Sequence, residues 1–329
     1  MFKLIIRQLI AIHTLAFLVF ILGILTGDVY ASNKFGIHVL TESEFPVASN
    51  LVNSDGREWG HVTFVIREDE MDKARWTQAF QKLSEYKLTP IVRIATKQVG
   101  GMWERPTSEM APVWAEFLNS LPWPNKKRIV SLWNEPNHAK EWGGVIDPAG
   151  YARLSRRYWE ELKKASFDFY VLPAGFDAAA PNGRATMNSK DYFDQMSEHD
   201  PLIFTLFDGW ASHSYPNPGF SGSPSDNGKM SIRGFEWELD YLRKYHLSDN
   251  ISVYIKETGW ANDGNDQEKI ADYYKQAFSE AWSHPQVVAV TPFILKYDSA
   301  PFDQFSWIIP KTNILYPYGR VMGATDEES

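Results

Sequence analysis

The sequence predicts an α/β protein, a single (β/α)8 barrel formed by residues 33–329. Strand-like and helix-like segments alternate about eight times along these residues. Strands that are separated by helices pair in parallel through right-handed crossovers, and eight repeats of this unit close a barrel. The sequence contains no linker and no low-complexity run that would divide these residues into two domains.

Eight short runs of apolar and β-branched residues are the candidate strands. In chain order they are Lys34–Leu40, Val62–Arg67, Pro90–Thr96, Arg128–Trp133, Tyr170–Ala174, Phe207–Ser212, Ser252–Lys256 and Val287–Leu295. Apolar residues recur with helical period in segments between them, which are predicted as helices. These segments are Asp72–Lys87, Met110–Leu121, Pro148–Lys164, Lys190–Glu198, Gly234–Tyr245 and Gln267–Trp282.

One loop is conspicuous because it is rich in Gly, Pro and Ser. It covers Pro216–Ser231 and directly follows the sixth predicted strand. It is either a tolerated surface insertion or a rim or lid over a cleft, since barrel sites lie on the loops that follow the strands.

The composition restricts the class of partner. A net charge of -8 without a Lys/Arg cluster argues against binding to nucleic acid and is compatible with a neutral substrate. The chain has 13 Trp, 15 Tyr and 20 Phe, an aromatic excess that suits a protein that stacks on sugar rings. It has no Cys, so disulfides cannot stabilise it and stability must come from the core.

The N-terminus predicts export. Lys3 and Arg7 precede an apolar segment from about Leu9 to Leu25, and Val29–Ala31 fits a small-residue cleavage rule. Residues 1–31 are therefore expected to be a signal peptide, which makes the protein secreted or extracytoplasmic. An uncleaved membrane anchor is the alternative, and the membrane is a partner only in that case.

Two glutamates end apolar strands. The segment Lys127–Asn137 runs from a buried strand into a polar tip that carries Glu135, and Ile251–Trp260 has the same pattern around Glu257. Carboxylates at the carboxyl ends of barrel strands point into the mouth, where sites form. Two facing carboxyl groups about 5–5.5 Å apart are what retaining glycoside hydrolysis requires. The alternative is that each glutamate is a buried acid satisfied by an Arg or an amide.

The motifs at these strand ends resemble those of the clan A glycoside hydrolases, (β/α)8 barrels that include cellulases, mannanases and β-xylosidases. The resemblance rests on Asn-Glu-Pro-Asn at 134–137 and Glu-Thr-Gly-Trp at 257–260. It implies Glu135 as general acid/base, Glu257 as nucleophile and Asn134 as the side chain that hydrogen-bonds the sugar 2-OH.

The same resemblance implies further substrate-binding residues. The segment Ser212–Tyr215 is similar to the clan's His-x-Tyr, so Tyr215 would bond the nucleophile and His213 would line the subsite of cleavage. The clan's arginine near the nucleophile is either Arg67 or Arg93, with Arg93 the more inward-looking. The stacking candidates, each of which is otherwise core packing, are Trp103, Trp142, Trp260, Phe293, Tyr297 and Trp307.

The expected function is therefore a retaining hydrolase of β-linked polysaccharides or oligosaccharides that works by double displacement. A transglycosylase that uses the same carboxylates and a catalytically silent carbohydrate-binding barrel are the alternatives. The sequence has no His-x-His pair and no His-Glu-x-x-His helix, so neither a metal nor another cofactor is expected.

Overall fold

A computed structural model describes residues 33–262 and 266–323. Eight parallel strands form the centre: β1 (Gly36–His38), β2 (His61–Arg67), β3 (Thr89–Ala95), β4 (Arg128–Leu132), β5 (Phe169–Leu172), β6 (Gly209–His213), β7 (Ser252–Glu257) and β8 (Val287–Val290). Strands β1 to β5 form one sheet and β6 to β8 another, each in sequential order.

Backbone hydrogen bonds join the two sheets at both edges. The Val290 amide donates to the Lys34 carbonyl at 2.8 Å, which connects β8 with the start of β1. On the other side the Asp208 amide donates to the Val171 carbonyl at 3.0 Å, which connects β6 with β5. The strands therefore form a (β/α)8 barrel, in agreement with the prediction.

Helices follow seven of the strands and cover the barrel. They are α1 (Phe45–Val52), α2 (Lys73–Glu85), α3 (Met110–Asn119), α4 (Pro148–Ala165), α5 (Ser189–His199), α6 (Gly234–Leu242) and α7 (Gln267–Ser279). A short helix, Arg320–Gly323, comes after β8. Polar side chains cap the first turns of several helices. Asp72 accepts hydrogen bonds from two backbone amides of α2, and Asp266 accepts them from two backbone amides of α7.

The structure confirms all eight predicted strands and all six predicted helices, with changes at their ends. Helix α1 was not predicted because it is only two turns long and its Pro46 resembles a turn signal. A two-stranded hairpin after β3, Gln98–Val99 with Met102–Trp103, was also missed. Its sequence signal is Gly100-Gly101, two residues with positive φ that suit a tight hairpin turn.

The barrel interior is filled by a layer of side chains from six strands. This layer comprises Ile91, Ile129, Leu172, Ala211, Tyr254 and Ala289. The alternate residues face the helices and join the larger core between strands and helices, as Val130 and Ile255 do. Towards the carboxyl ends of the strands, the next inward positions are polar, and they include Ser131 and Lys256, both fully buried. The floor of the candidate site is therefore polar.

The predicted signal peptide or membrane anchor, residues 1–31, lies outside the described residues. Within residues 33–262 and 266–323, no helix has both the length and the apolar character needed to cross a bilayer.

Candidate active site

Glu135 lies on a strained turn three residues beyond the end of β4. Trp133 and Glu135 both have positive φ, 65° and 26°, a backbone region that residues other than glycine rarely adopt. The Glu135 amide donates to the Gly175 carbonyl at 3.1 Å, and its carbonyl accepts from the His138 amide at 2.8 Å. Both bonds hold the turn in the conformation that carries the carboxyl group.

Glu257 is the last residue of β7, where the strand has a bulge. Ser212 pairs with Ile255, but His213 pairs with Glu257, so Lys256 is skipped in the register. Regular alternation would turn Glu257 towards the helices, because Tyr254 and Lys256 face the interior. The extra residue instead allows consecutive side chains, those of Lys256 and Glu257, both to lie on the barrel side of the strand.

His213, at the end of β6, lies between the two glutamates. Its Nδ1 is 2.9 Å from Glu135 Oε1 and 3.7 Å from Glu257 Oε2. Burial lowers the pKa of His213 to about 3, so the ring is neutral, and its Nδ1 forms a hydrogen bond with Glu135. The ring fits because Gly175 has no side chain: a Cβ at that position would lie 2.0 Å from His213 Cδ2.

The geometry of the three side chains is compact. A carboxylate oxygen of Glu135, one of Glu257 and a ring nitrogen of His213 all lie within 4.8 Å of one another. The exposed fractions of the side chains are 19% for Glu135 and 10% for Glu257, so both carboxyl groups are reached from solvent. The separation fits the short spacing of retaining glycosidases, about 5–5.5 Å, rather than the wider spacing of inverting ones, about 6.5–9.5 Å.

Two further predicted residues contact Glu257. Arg93 Nη1 lies 3.5 Å from Glu257 Oε1, and the Tyr215 hydroxyl donates to Glu257 Oε2 at 3.4 Å. Both contacts restrict the orientation of this carboxylate. The other arginine that the sequence left open, Arg67, is paired with Asp69 at 3.0 Å on the surface.

Glu135 has a different electrostatic environment. Burial, together with the negative charge of Asp177, raises the pKa of Glu135 above its usual range. Asp177 itself accepts a hydrogen bond from His138 Nε2 at 2.8 Å. Glu257 is thus paired with an arginine, whereas the raised pKa of Glu135 favours its protonated form. A nucleophile and a general acid require two such different environments.

A cleft adjoins this pair on the side of β3 and β4. It is lined by Arg93, Ala95, Thr96, Trp103, Pro106, Trp133, Asn134 and Glu141. Asn134 Nδ2 donates to Glu141 Oε2 at 3.3 Å, and Asn134 Oδ1 has no hydrogen-bond partner among the described residues. Glu141 was not identified from the sequence. Its position in the cleft follows from the fold of the loop after β4 and has no sequence signal of its own.

The loop Pro216–Ser231 forms an edge of the site. Ala261, shortly after β7, donates its amide hydrogen to the Phe220 carbonyl at 3.0 Å. The Phe220 ring packs against Tyr215 with the ring centres 5.2 Å apart. Because Tyr215 contacts Glu257, this segment is a rim beside the carboxyl end of β7, which agrees with the second of the two interpretations of the sequence.

Three of the predicted stacking residues are buried. Trp142, Trp260 and Trp307 have exposed fractions of 0%, 3% and 0%. Their rings pack against other core rings: Trp142 lies 5.1 Å from Trp133 and Trp307 lies 4.8 Å from Tyr274, measured between ring centres. A sugar ring therefore has no access to their faces. Trp103 is half-buried and lines the cleft, with Arg93 5.9 Å from its ring centre.

We expect Trp307→Phe to affect stability and Trp103→Ala to affect substrate binding. Trp307→Phe should lower the free energy of unfolding by about 1–3 kcal/mol and leave KM unchanged, because it removes core contacts only. Trp103→Ala should raise KM roughly tenfold with little loss of stability, because it removes an accessible aromatic surface. Urea denaturation and steady-state kinetics on an aryl glycoside measure both quantities. A raised KM in Trp307→Phe would contradict its assignment to the core.

A larger cavity lies at the opposite end of the barrel. It has a volume of about 230 Å³ and its lining includes Asp208 before β6 and Ile251 before β7. Because the carboxylates lie at the carboxyl ends of the strands and this cavity lies at the amino ends, it is not the candidate active site.

Glu135, His213 and Glu257 also form the group of acidic and histidine side chains, among the described residues, that is close enough to share a metal ion.

Comparison with known proteins finds similarity in structure only. Neither a protein-family profile nor the sequence of a curated protein matches the chain. A family 39 glycoside hydrolase from the gut symbiont Bacteroides cellulosilyticus superposes with a TM-score of 0.59 at 14% identity, over 88% of this chain and 62% of that one. This chain thus spans less than two thirds of that protein's length.

Two other solved structures are similar over a comparable part of the chain. A monomeric β-xylosidase from Caulobacter crescentus gives a TM-score of 0.63 at 13% identity, over 89% of this chain and 68% of that one. An endo-β-1,3-glucanase of family 128 from Sorangium cellulosum gives a TM-score of 0.57 at 13% identity, over 88% of this chain and 97% of that one. At these identities the likeness shows the fold alone: the chain has a (β/α)8 barrel similar to the barrels of these solved glycoside hydrolases.

Proposed function

We propose that the protein is a retaining glycoside hydrolase that cleaves β-linked sugars by double displacement. The observation that carries this proposal is the position of Glu135 and Glu257, whose carboxylate oxygens lie within 4.8 Å of each other at the mouth of the barrel. The similarity of the fold to solved glycoside hydrolases supports a carbohydrate as the substrate. The absence of a Lys/Arg cluster from the sequence agrees with a neutral one.

In the first step, Glu257 attacks the anomeric carbon and the bond to the leaving oxygen breaks. Glu135 gives its proton to that oxygen, a role that suits a carboxyl group whose pKa is raised by burial. Arg93 and Tyr215 contact the carboxylate of Glu257 and orient it for attack. The product of this step is a covalent glycosyl-enzyme.

In the second step, Glu135 is a carboxylate and takes a proton from water. The resulting hydroxide attacks the anomeric carbon from the face that the leaving group has vacated, and Glu257 is released. Two inversions give net retention. Neutral His213 shares a hydrogen bond between its Nδ1 and Glu135 Oε1, and this bond holds the carboxyl group in place.

A mechanism-based inhibitor tests this proposal. A panel of 2,4-dinitrophenyl 2-deoxy-2-fluoro-β-glycosides that differ in the sugar should include one that inactivates the protein. Mass spectrometry should then place a single sugar on the peptide that contains Glu257. Attachment of the sugar to another residue would contradict the mechanism. So would an NMR spectrum that shows a product of inverted anomeric configuration after hydrolysis of an aryl glycoside.

A further inference from the structure

A buried cation lies beneath the two carboxylates. Lys256 precedes Glu257 on β7 and is the residue that the bulge leaves out of the pairing register. Its side chain is fully buried in the barrel interior. A lysine in such a position is costly unless its ammonium group finds partners, so the contacts of this group indicate why it is there.

The ammonium group crosses the barrel from β7 to β4. Lys256 Nζ donates to Ser131 Oγ at 3.0 Å and lies 3.5 Å from the Trp133 carbonyl oxygen. Ser131 is on β4, and its hydroxyl donates to the Pro173 carbonyl at 3.0 Å, beyond the end of β5. Lys256 thereby links the strand of Glu257 to the strand that leads to Glu135.

The backbone of Lys256 is fixed from the other side. Thr291 Oγ1 donates to the Lys256 carbonyl at 2.7 Å and also bonds Thr63 Oγ1 at 2.9 Å. A continuous set of buried hydrogen bonds therefore runs from β2 through the end of β8 to β7 and then to β4. It passes below both carboxylates and contacts the Trp133 carbonyl, two residues before Glu135 on the strained turn.

We propose that Lys256 is a positioning residue for the glycoside hydrolysis, joining β7 to β4 beneath the two carboxylates. This inference rests on the proposed function. A strained turn persists only where its surroundings determine it fully, and the contact of Lys256 with Trp133 is one such constraint. A displacement of about 1 Å in a catalytic group costs roughly 100-fold in rate, so a bond between the two strands has a large effect on turnover.

The charge of Lys256 acts among several titratable groups. These are His38 on β1, Arg93 on β3, Glu135 after β4, His213 on β6 and Glu257 on β7. Burial and the charge of Arg93 lower the pKa of Lys256 to about 7, so it is cationic at acidic pH. Burial lowers the pKa values of His38 and His213, so both are neutral over that range.

The variants Lys256→Met and Ser131→Ala test the proposal with a β-glycoside that the wild type hydrolyses. Methionine has a similar length but neither charge nor donor, so kcat should fall about 10- to 100-fold while KM stays within about twofold. The basic limb of the kcat/KM profile, which reports Glu135, should move to higher pH, because a nearby cation that favours the ionised form of Glu135 is gone. Ser131→Ala removes a bond and keeps the charge, so kcat should fall without movement of that limb.

Lys163→Met is the matched control. Lys163 is a largely buried lysine that donates to the Phe169 carbonyl and to Asp208 at the amino ends of the strands. Its loss should lower stability and leave kcat and the pH profile unchanged.

Wild-type kcat and pH profile in a folded Lys256→Met variant would overturn the positioning role and leave the proposed function intact. If Lys256→Met does not fold, Ser131→Ala decides: a lower kcat with an unchanged KM supports the role, and an unchanged kcat overturns it. A wild type that hydrolyses no β-glycoside in the panel overturns both proposals.

Discussion

Glu257→Ala should reduce turnover by at least about 10⁴-fold while the protein stays folded. The variant lacks the group that forms the covalent intermediate, and such nucleophiles account for a large share of the rate. The side chain is 10% exposed and lies at the edge of the core, so its truncation leaves the strand pairing of β7 intact. Circular dichroism and steady-state kinetics on an aryl β-glycoside measure the two effects.

Azide gives this prediction a sharper outcome. The cavity left by Glu257→Ala admits azide, which attacks the anomeric carbon from the nucleophile's face and gives a glycosyl azide of inverted configuration. Glu238→Gln is a matched control: Glu238 is a buried acid on α6 that accepts a hydrogen bond from Trp210 Nε1 at 2.9 Å on the helix-facing side of β6. It should keep its activity and show no response to azide. Near-normal hydrolysis by Glu257→Ala would defeat the nucleophile assignment.

Glu135→Ala should lose about 10²- to 10⁴-fold in turnover of substrates with poor leaving groups. Substrates with good leaving groups need no proton in the first step, so their glycosyl-enzyme still forms, and it accumulates because no base activates water. A burst of released phenol followed by slow turnover is the expected kinetic trace. Azide should accelerate the second step and give a glycosyl azide of retained configuration, the opposite outcome to Glu257→Ala.

The pH dependence provides a second measurement for Glu135. The first step needs its protonated form, and burial with the charge of Asp177 raises the pKa of Glu135. Wild-type kcat/KM should therefore fall as the pH rises through that raised pKa. Glu135→Ala should lack this basic limb for a substrate with a good leaving group. Persistence of the limb in the variant would assign it to a different group.

Much of the architecture was predictable from local pattern. The alternation of apolar runs with helical periods led to the eight strands and six of the helices, because each pattern reflects which side of an element is buried. The short helix α1 and the hairpin that carries Trp103 were missed because they have too few residues for a period to appear. The pair Gly100-Gly101 was the available signal for the hairpin.

Details of the candidate site depended on contacts between distant segments. A strand pattern cannot show whether Arg67 or Arg93 reaches Glu257, since this depends on the partners that the folded barrel brings to each arginine. Burial of Trp142 and Trp307 depends on the rings that other helices and loops bring to them. Composition alone shows an excess of tryptophan and not which rings remain accessible.

The sequence by itself determined the order of strands and helices. That order places Glu135 and Glu257 at the carboxyl ends of apolar strands, and therefore at the same mouth of the barrel. Tertiary structure alone decided how they face each other. Pairing across β6 and β7 produces the bulge that brings Lys256 and Glu257 to the same side. Bonds from Gly175 and His138 hold the strained turn of Glu135. Local propensity opposes both features, and they persist because contacts from other strands outweigh it.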